Sequence, residues 1–322
     1  MSRLSFAFAP LSMFLSSMGE LLFLLCLTLL LKGAEPATFT ITNSCDYTVW
    51  PGILSNAGAS PPSTTGFVLP PGQSLSVTFA WVWSGRIWGR TLCATDSSGS
   101  FTCATGDCGS GAVECSGRGA APPATLAEFT LAGGTGGDDF YDVSLVDGFN
   151  VPMIVSPQAP SPAVGNGSCQ ATGCPADLNT ACPADLRVAS AGGGGGAVAC
   201  RSACEAFGTA QYCCSGAYGS PATCAATSYS RFFKDACPRA YSYAYDDATS
   251  TFTCAAAGGG YDVVFCPSSS RLKSGGNPEA AGLPPSNPTM VFSGDADSLM
   301  TSGNAFLAIL TVVISAMSMQ CC

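Results

Sequence analysis

The sequence predicts a mainly β domain, stapled by disulfides and exported from the cell. Three observations lead there: runs of alternating apolar and polar residues broken by Pro and Gly clusters, a charged fraction of only 10%, and an even set of cysteines behind an apolar leader. Few charges disfavour long surface helices laced with ion pairs, and period-two alternation marks half-buried strands.

The leader opens with Arg3 and carries the apolar run 21–31 (LLFLLCLTLLL), closed by the small and polar stretch 32–37 (KGAEPA). This outline reads as a signal peptide over 1–34, cleaved between 33 and 37. The run is short for a spanning helix, and strand-like sequence begins directly after it. Of the 19 cysteines, Cys26 falls in the leader and Cys321 and Cys322 close the chain, which leaves 16 in the body. An even number behind an export signal implies disulfides formed in an oxidising compartment.

Removing the ends leaves roughly 230 residues, enough for one core with small satellites. Strand patterns occur at 38–43 (TFTITN), 47–50, 75–82 (LSVTFAWV), 124–131 (ATLAEFTL) and 139–146 (DFYDVSLV), with turn clusters at 69–72 (LPPG) and 133–137 (GGTGG). From Cys169 to Cys237 the character changes: more than half of the body cysteines fall here, with few apolar runs. Such a stretch builds too little core of its own and is expected to be a satellite held by bridges. Short helices are expected at 201–208 (RSACEAFG) and 229–236 (YSRFFKDA), a slack Gly insert at 192–196, and closing strands at 249–254 and 261–266.

After Cys266 the composition becomes that of a linker, over 267–296. Small residues at Ser293, Gly294, Asp295 and Ala296, a polar spacer and an apolar tail at 305–319 give 297–322 the layout of a GPI-attachment signal, with lipid added at Ser293 or Gly294. The competing transmembrane anchor is disfavoured by the shortness of the tail. One sequon, Asn166-Gly167-Ser168, offers a glycosylation site.

The chain contains no His, which removes Ser-His and Cys-His nucleophile pairs and the commonest metal ligand. No metal and no other cofactor is expected, and any catalysis must rest on carboxylates. The net charge of −9 disfavours nucleic acid, whose phosphates need a basic face. Neutral sugars or basic partners fit better, with the membrane engaged through a lipid anchor alone and the chain a monomer. On the strand at 139–146, Tyr141, Val143 and Leu145 share one face and Phe140, Asp142 and Ser144 the other. Glu128 likewise stands opposite Ala127, Phe129 and Leu131, so both carboxylates are expected on one outward sheet surface. Trp81, Trp83 and Trp88 read as packing, Asp107 as a turn cap and Arg90 as structural.

Residues 99–115 (GSFTCATGDCGSGAVEC), with 86–91 (RIWGRT), 122–129 (PPATLAEF), 139–150 (DFYDVSLVDGFN), 211–214 (QYCC) and 229–234 (YSRFFK), are similar to the thaumatin family, the pathogenesis-related group 5 proteins, and in particular to plant members with a GPI anchor. The resemblance covers about 38–266. It implies a β-sandwich core from 38–168 and 249–266, a disulfide-rich loop and short-helix domain over about 169–240, and a small hairpin domain. It also implies eight disulfides: Cys45–Cys266, Cys93–Cys103, Cys108–Cys115, Cys169–Cys254, Cys174–Cys237, Cys182–Cys200, Cys204–Cys213 and Cys214–Cys224. The family's acidic cleft maps onto Arg86, Glu128, Asp142, Asp147 and Asp246, with Asp247 as the alternative to the last. The function implied is defence at the cell surface or apoplast by binding β-1,3-glucan or another wall polysaccharide. Antifungal activity is implied as well, and a weak endo-β-1,3-glucanase would use Glu128 as acid and Asp142 as its partner. The alternative is a non-enzymatic module whose cleft attracts a basic protein or membrane partner.

Overall fold

The computed structural model describes residues 36–132, 137–158, 169–189, 196–255 and 260–268. The leader, Asn166, the Gly insert up to residue 195, and the linker and tail from 269 onward lie outside the described residues.

In chain order the strands are β1 (Ala37–Asn43), β2 (Trp50–Ser55), β3 (Ser74–Phe79), β4 (Ser84–Thr95), β5 (Phe101–Thr105), β6 (Leu126–Thr130), β7 (Asp138–Ser144), β8 (Met153–Pro157), β9 (Thr172–Cys174), β10 (Arg187–Ala189), β11 (Ala197–Cys200), β12 (Phe252–Ala255) and β13 (Tyr261–Phe265). Among the described residues four short α-helices accompany them: α1 (Ala203–Phe207), α2 (Ala210–Cys213), α3 (Ser228–Ala236) and α4 (Asp247–Ser250).

One sheet runs β3-β1-β13-β8-β9 and the other β12-β7-β6-β4-β2, with β5 paired to β4. Their inner faces meet in one core. Phe39 of the first sheet stacks at 4.7 Å on Phe129 of the second, and Phe129 lies 5.3 Å from Tyr261. Ile41, Val263 and Val155 face Ile87, Ala127, Tyr141 and Val143 in the same cluster. The alternation read from the sequence is the reason: at β6 and β7 the alternate residues Ala127, Phe129, Tyr141 and Val143 are withdrawn from water into this core, as a pleated strand on a core requires. A second, smaller cluster of Trp88, Cys108, Cys115, Ala124 and Leu126 packs on the other face of the second sheet.

The chain folds differently from expectation in places. The strand expected at 75–82 ends at Phe79, so Trp81 is 41% exposed while Trp83 and Trp88 are buried as packing residues. The start of the strand expected at 249–254 is instead the end of α4. All eight disulfides implied by the resemblance are formed. Arg90 is fully buried and donates to the carbonyls of Trp50, Pro51 and Val113. The Asp107 carboxylate accepts from the Cys103 and Gly109 amides, which ties the turn after β5.

Candidate functional site

The second sheet turns a row of charged groups outward. Cross-strand register sets Arg86 of β4 opposite Glu128 of β6, and Glu128 opposite Asp142 of β7. Directly opposed residues on neighbouring strands stand within about 4.5–5.5 Å at Cβ, so the three side chains form one line across the sheet. The Arg86 Nε lies 4.0 Å from Glu128 Oε1, with 31% and 24% of the side chains exposed. That pair is loose and partly screened, while Asp142 is only 5% exposed and its Oδ1 makes no hydrogen bond.

Two loops add further acids to this row. After β7 the chain turns tightly, with the Gly148 amide donating to Leu145 and the Ala124 amide to the Asp147 carbonyl. Gly148 has φ +85, and a Cβ there would lie 2.6 Å from the Cys200 carbonyl oxygen, so only glycine fits. Reciprocal bonds between Phe149 and Cys200 then tie the turn to β11. After α3 the chain is pinned alongside β7 by two further backbone bonds, Leu145 amide to Tyr241 carbonyl and Tyr241 amide to Val143 carbonyl. This carries Asp246 and Asp247 toward the sheet.

The two aspartates do different work. Asp246 Oδ2 is paired at 2.9 Å with Lys234 Nζ and accepts from the amide and hydroxyl of Ser242, which makes it the clamp of its own loop. Asp247 accepts from the Tyr241 hydroxyl, and its charge acts on Asp142. Burial lifts Asp142 well above the usual carboxylate range; Glu128 and then Asp247 push it further, against the pull of Arg86. Burial also raises Glu128, opposed by Arg86 and helped by Asp147, and Asp147 itself is raised by burial against Arg86.

Arg86, Glu128, Asp142 and Asp147 are therefore one electrostatic unit, joined by Asp247, while Asp246 is occupied by Lys234. A residue that the sequence reading passed over also belongs here. Glu205 of α1 is pushed up to about 7, by burial first, with Arg201 opposing and Asp147 adding to the rise. Its Oε2 is withdrawn from water without a hydrogen-bond partner. Among the described residues no group of acids or cysteines has the arrangement of a metal site, and no helix is long and apolar enough to cross a membrane.

Residues 43–267 match the Thaumatin family. This chain is a member of the thaumatin family. The thaumatin-like domain is 54% identical over 246 residues to "Thaumatin-like protein 1" of Arabidopsis thaliana, covering 75% of this chain and 90% of that one. It is 51% identical over 235 residues to a protein of Prunus avium named "Glucan endo-1,3-beta-glucosidase", covering 73% of this chain and 92% of that one. It is 47% identical over 249 residues to the "PR5-like receptor kinase" of Arabidopsis thaliana, covering 77% of this chain and 36% of that one. The charged row thus stands on a thaumatin-like scaffold shared by proteins of which one is named for glucan cleavage and another as a receptor kinase.

Proposed function

We propose that this thaumatin-like chain is an extracellular, defence-related protein that binds β-1,3-glucan along the acid row of its second sheet. The observation that carries the reading is the register Arg86–Glu128–Asp142, which lines a cation and two carboxyls across three strands, with Asp147 and Asp247 beside them. A guanidinium beside carboxyl groups supplies both hydrogen-bond donors and acceptors, which is what a surface of sugar hydroxyls requires.

The same geometry favours holding a sugar over cleaving one. Glycoside hydrolysis needs two carboxyls that reach the scissile bond from either side. Glu128 is accessible enough to act as acid, but Asp142 is nearly withdrawn from solvent, so its role as catalytic partner is limited and turnover is weak. The name of the Prunus avium relative supports glucan as the ligand class. Export by the leader, lipid attachment at Ser293 or Gly294 and glycosylation at Asn166 are parts of this proposal that rest on sequence alone.

Laminarin pull-down tests it. Glu128→Gln should cut the retained fraction about tenfold with thermal unfolding unchanged, and undiminished retention would remove the row from the binding surface. A second reading, a module that docks a basic protein, is favoured by the match to the receptor kinase. Salt separates the two: attraction to a basic partner falls steeply with ionic strength, whereas binding of a neutral glucan hardly changes.

A further inference from the structure

At three edges of the two sandwich sheets the backbone is shortened or covered. In the first sheet β9 is only three residues long. In the second, the edge of β2 carries the bridges Val49–Leu69 and Gly52–Gly66, and β12 takes a bond from the Cys169 amide to the Thr253 carbonyl. β3 has no such cover. It closes the first sheet, keeps an unbroken register with β1 from Ser74 to Phe79, and makes no backbone bond to any other described segment. It also lacks the usual guards of an open edge, which are a charge, a proline or a bulge within the strand.

The bonding pattern shows which backbone groups are free. The Asn43 amide donates to the Gln73 carbonyl at 2.9 Å, and the next amide, that of Ser44, donates to Phe265 on the opposite side. Bonding alternates along antiparallel strands, so the odd-numbered residues of β3 face β1. Ser74, Ser76 and Thr78, all exposed, therefore present amide and carbonyl to the open edge.

Apolar groups stand at both ends of this edge. Leu75 is 40% exposed near its start, and Trp81 and Val82 are 41% and 56% exposed just past its end. When two copies of one strand pair antiparallel about a two-fold axis, the start of each lies beside the end of the other. Leu75 of one copy then approaches Trp81 and Val82 of the second, and apolar surface is covered at both ends. Charge favours the same occupant. A molecule of net charge −9 resists meeting its own copies, yet no charged residue occurs between Asp46 and Arg86, a run that contains all of β3.

We infer that β3 is a self-association edge, at which two copies of this chain join antiparallel into one continuous sheet, in place of the monomer expected from the sequence. The acid row stands on the other sheet, so self-association and glucan binding stand or fall separately.

Sedimentation equilibrium of the mature chain tests this, with amide hydrogen exchange to place the contact. The parent should reach dimer mass as concentration rises, and association should hold or tighten as salt is raised, because the charges that salt screens are repulsive. The amides of Ser76 and Thr78 should exchange about tenfold more slowly in the dimer, while those of Leu75 and Val77, already turned to β1, change little. Ser76→Pro removes an outward amide without touching a bond to β1, and Thr78→Lys sets a charge on the edge; each should weaken the dimer about tenfold or more with thermal unfolding unchanged. A parent that stays monomeric up to about 1 mM overturns the self-pairing. So does a dimer that Thr78→Lys leaves within about twofold of the parent, or one that protects other amides and not those of Ser76 and Thr78.

Discussion

Asp142 and Glu128 illustrate a carboxyl pair in which burial outweighs charge pairing. Arg86 serves both, yet both stay above their ordinary range, because the desolvation cost of ionising them exceeds the attraction of one half-exposed guanidinium. Glu205 gives the sharpest pH test. Its carboxyl titrates near 4.5 when unfolded and about 7 when folded, so the folded state holds a proton that the unfolded state has released across that window. Stability linked to this group is complete below 4.5 and is lost as pH rises toward 7. Glu205→Gln should flatten that slope and leave the variant more stable than the parent at pH 8. The gain should be on the order of 1 kcal/mol, since the side chain is only partly withdrawn from water. Urea denaturation at pH 5 and pH 8 measures it, and an unchanged slope would assign the proton elsewhere. Period-two alternation made the outward pointing of Glu128 and Asp142 readable from sequence. Glu205 was not readable, because Ser202-Ala-Cys-Glu205 reads as a helix start and so accounts locally for an acid at that position. Ser202 does accept from the Glu205 amide, but the carboxylate instead lies within reach of the charge on Asp147.

At the scale of elements, the turn after β7 and the start of α3 hold the surroundings of the row. Gly148→Ala forces a side chain into a left-handed backbone and against the Cys200 carbonyl, and should cost about 2 kcal/mol or more in thermal unfolding. A shift of Tm under 2 °C would mean the turn relaxes freely. Thr227→Ala removes one half of a capping box whose other half is Ser230, and should cost about 1 kcal/mol. Circular dichroism melts compare the two directly. The longest strand, β4, escaped the sequence reading for a physical reason: residues 87–91 are all buried, since Ile87 enters the main core, Trp88 the second cluster, and Arg90 is enclosed by backbone carbonyls. A strand covered on both faces loses its alternation. The pairing of β4 with β2 ends at Arg90 and its pairing with β5 begins at Thr91; Leu92, 58% exposed at φ 55, interrupts the latter between Thr91 and Cys93.

Across the whole molecule, Cys45–Cys266 joins residues separated by 221 positions and so closes the ends of the described domain onto one another. In the chain-entropy account long loops gain most from closure, and the double change Cys45→Ser/Cys266→Ser should cost about 3–5 kcal/mol. Guanidinium denaturation reads this as a lower midpoint, and a midpoint equal to the parent's would show that the sheets alone hold the termini.

By itself the sequence determined the class of molecule. An even cysteine set in the body, short alternating strands and the absence of imidazole point to a disulfide-bonded β protein whose candidate acid-base chemistry rests on carboxyls. The outward faces of β6 and β7 were determined too, because alternation is a property of neighbouring residues. Which acids share a field was decided only in three dimensions. Asp247 acts on Asp142 and Asp246 does not belong to that exchange, because Lys234 from α3 takes it first. Glu205 meets Asp147 because a glycine turn and the pairing of Phe149 with Cys200 bring remote segments together. Coulomb interaction and desolvation depend on distance through space and on water excluded by packing, and neither quantity is carried by the order of residues along the chain.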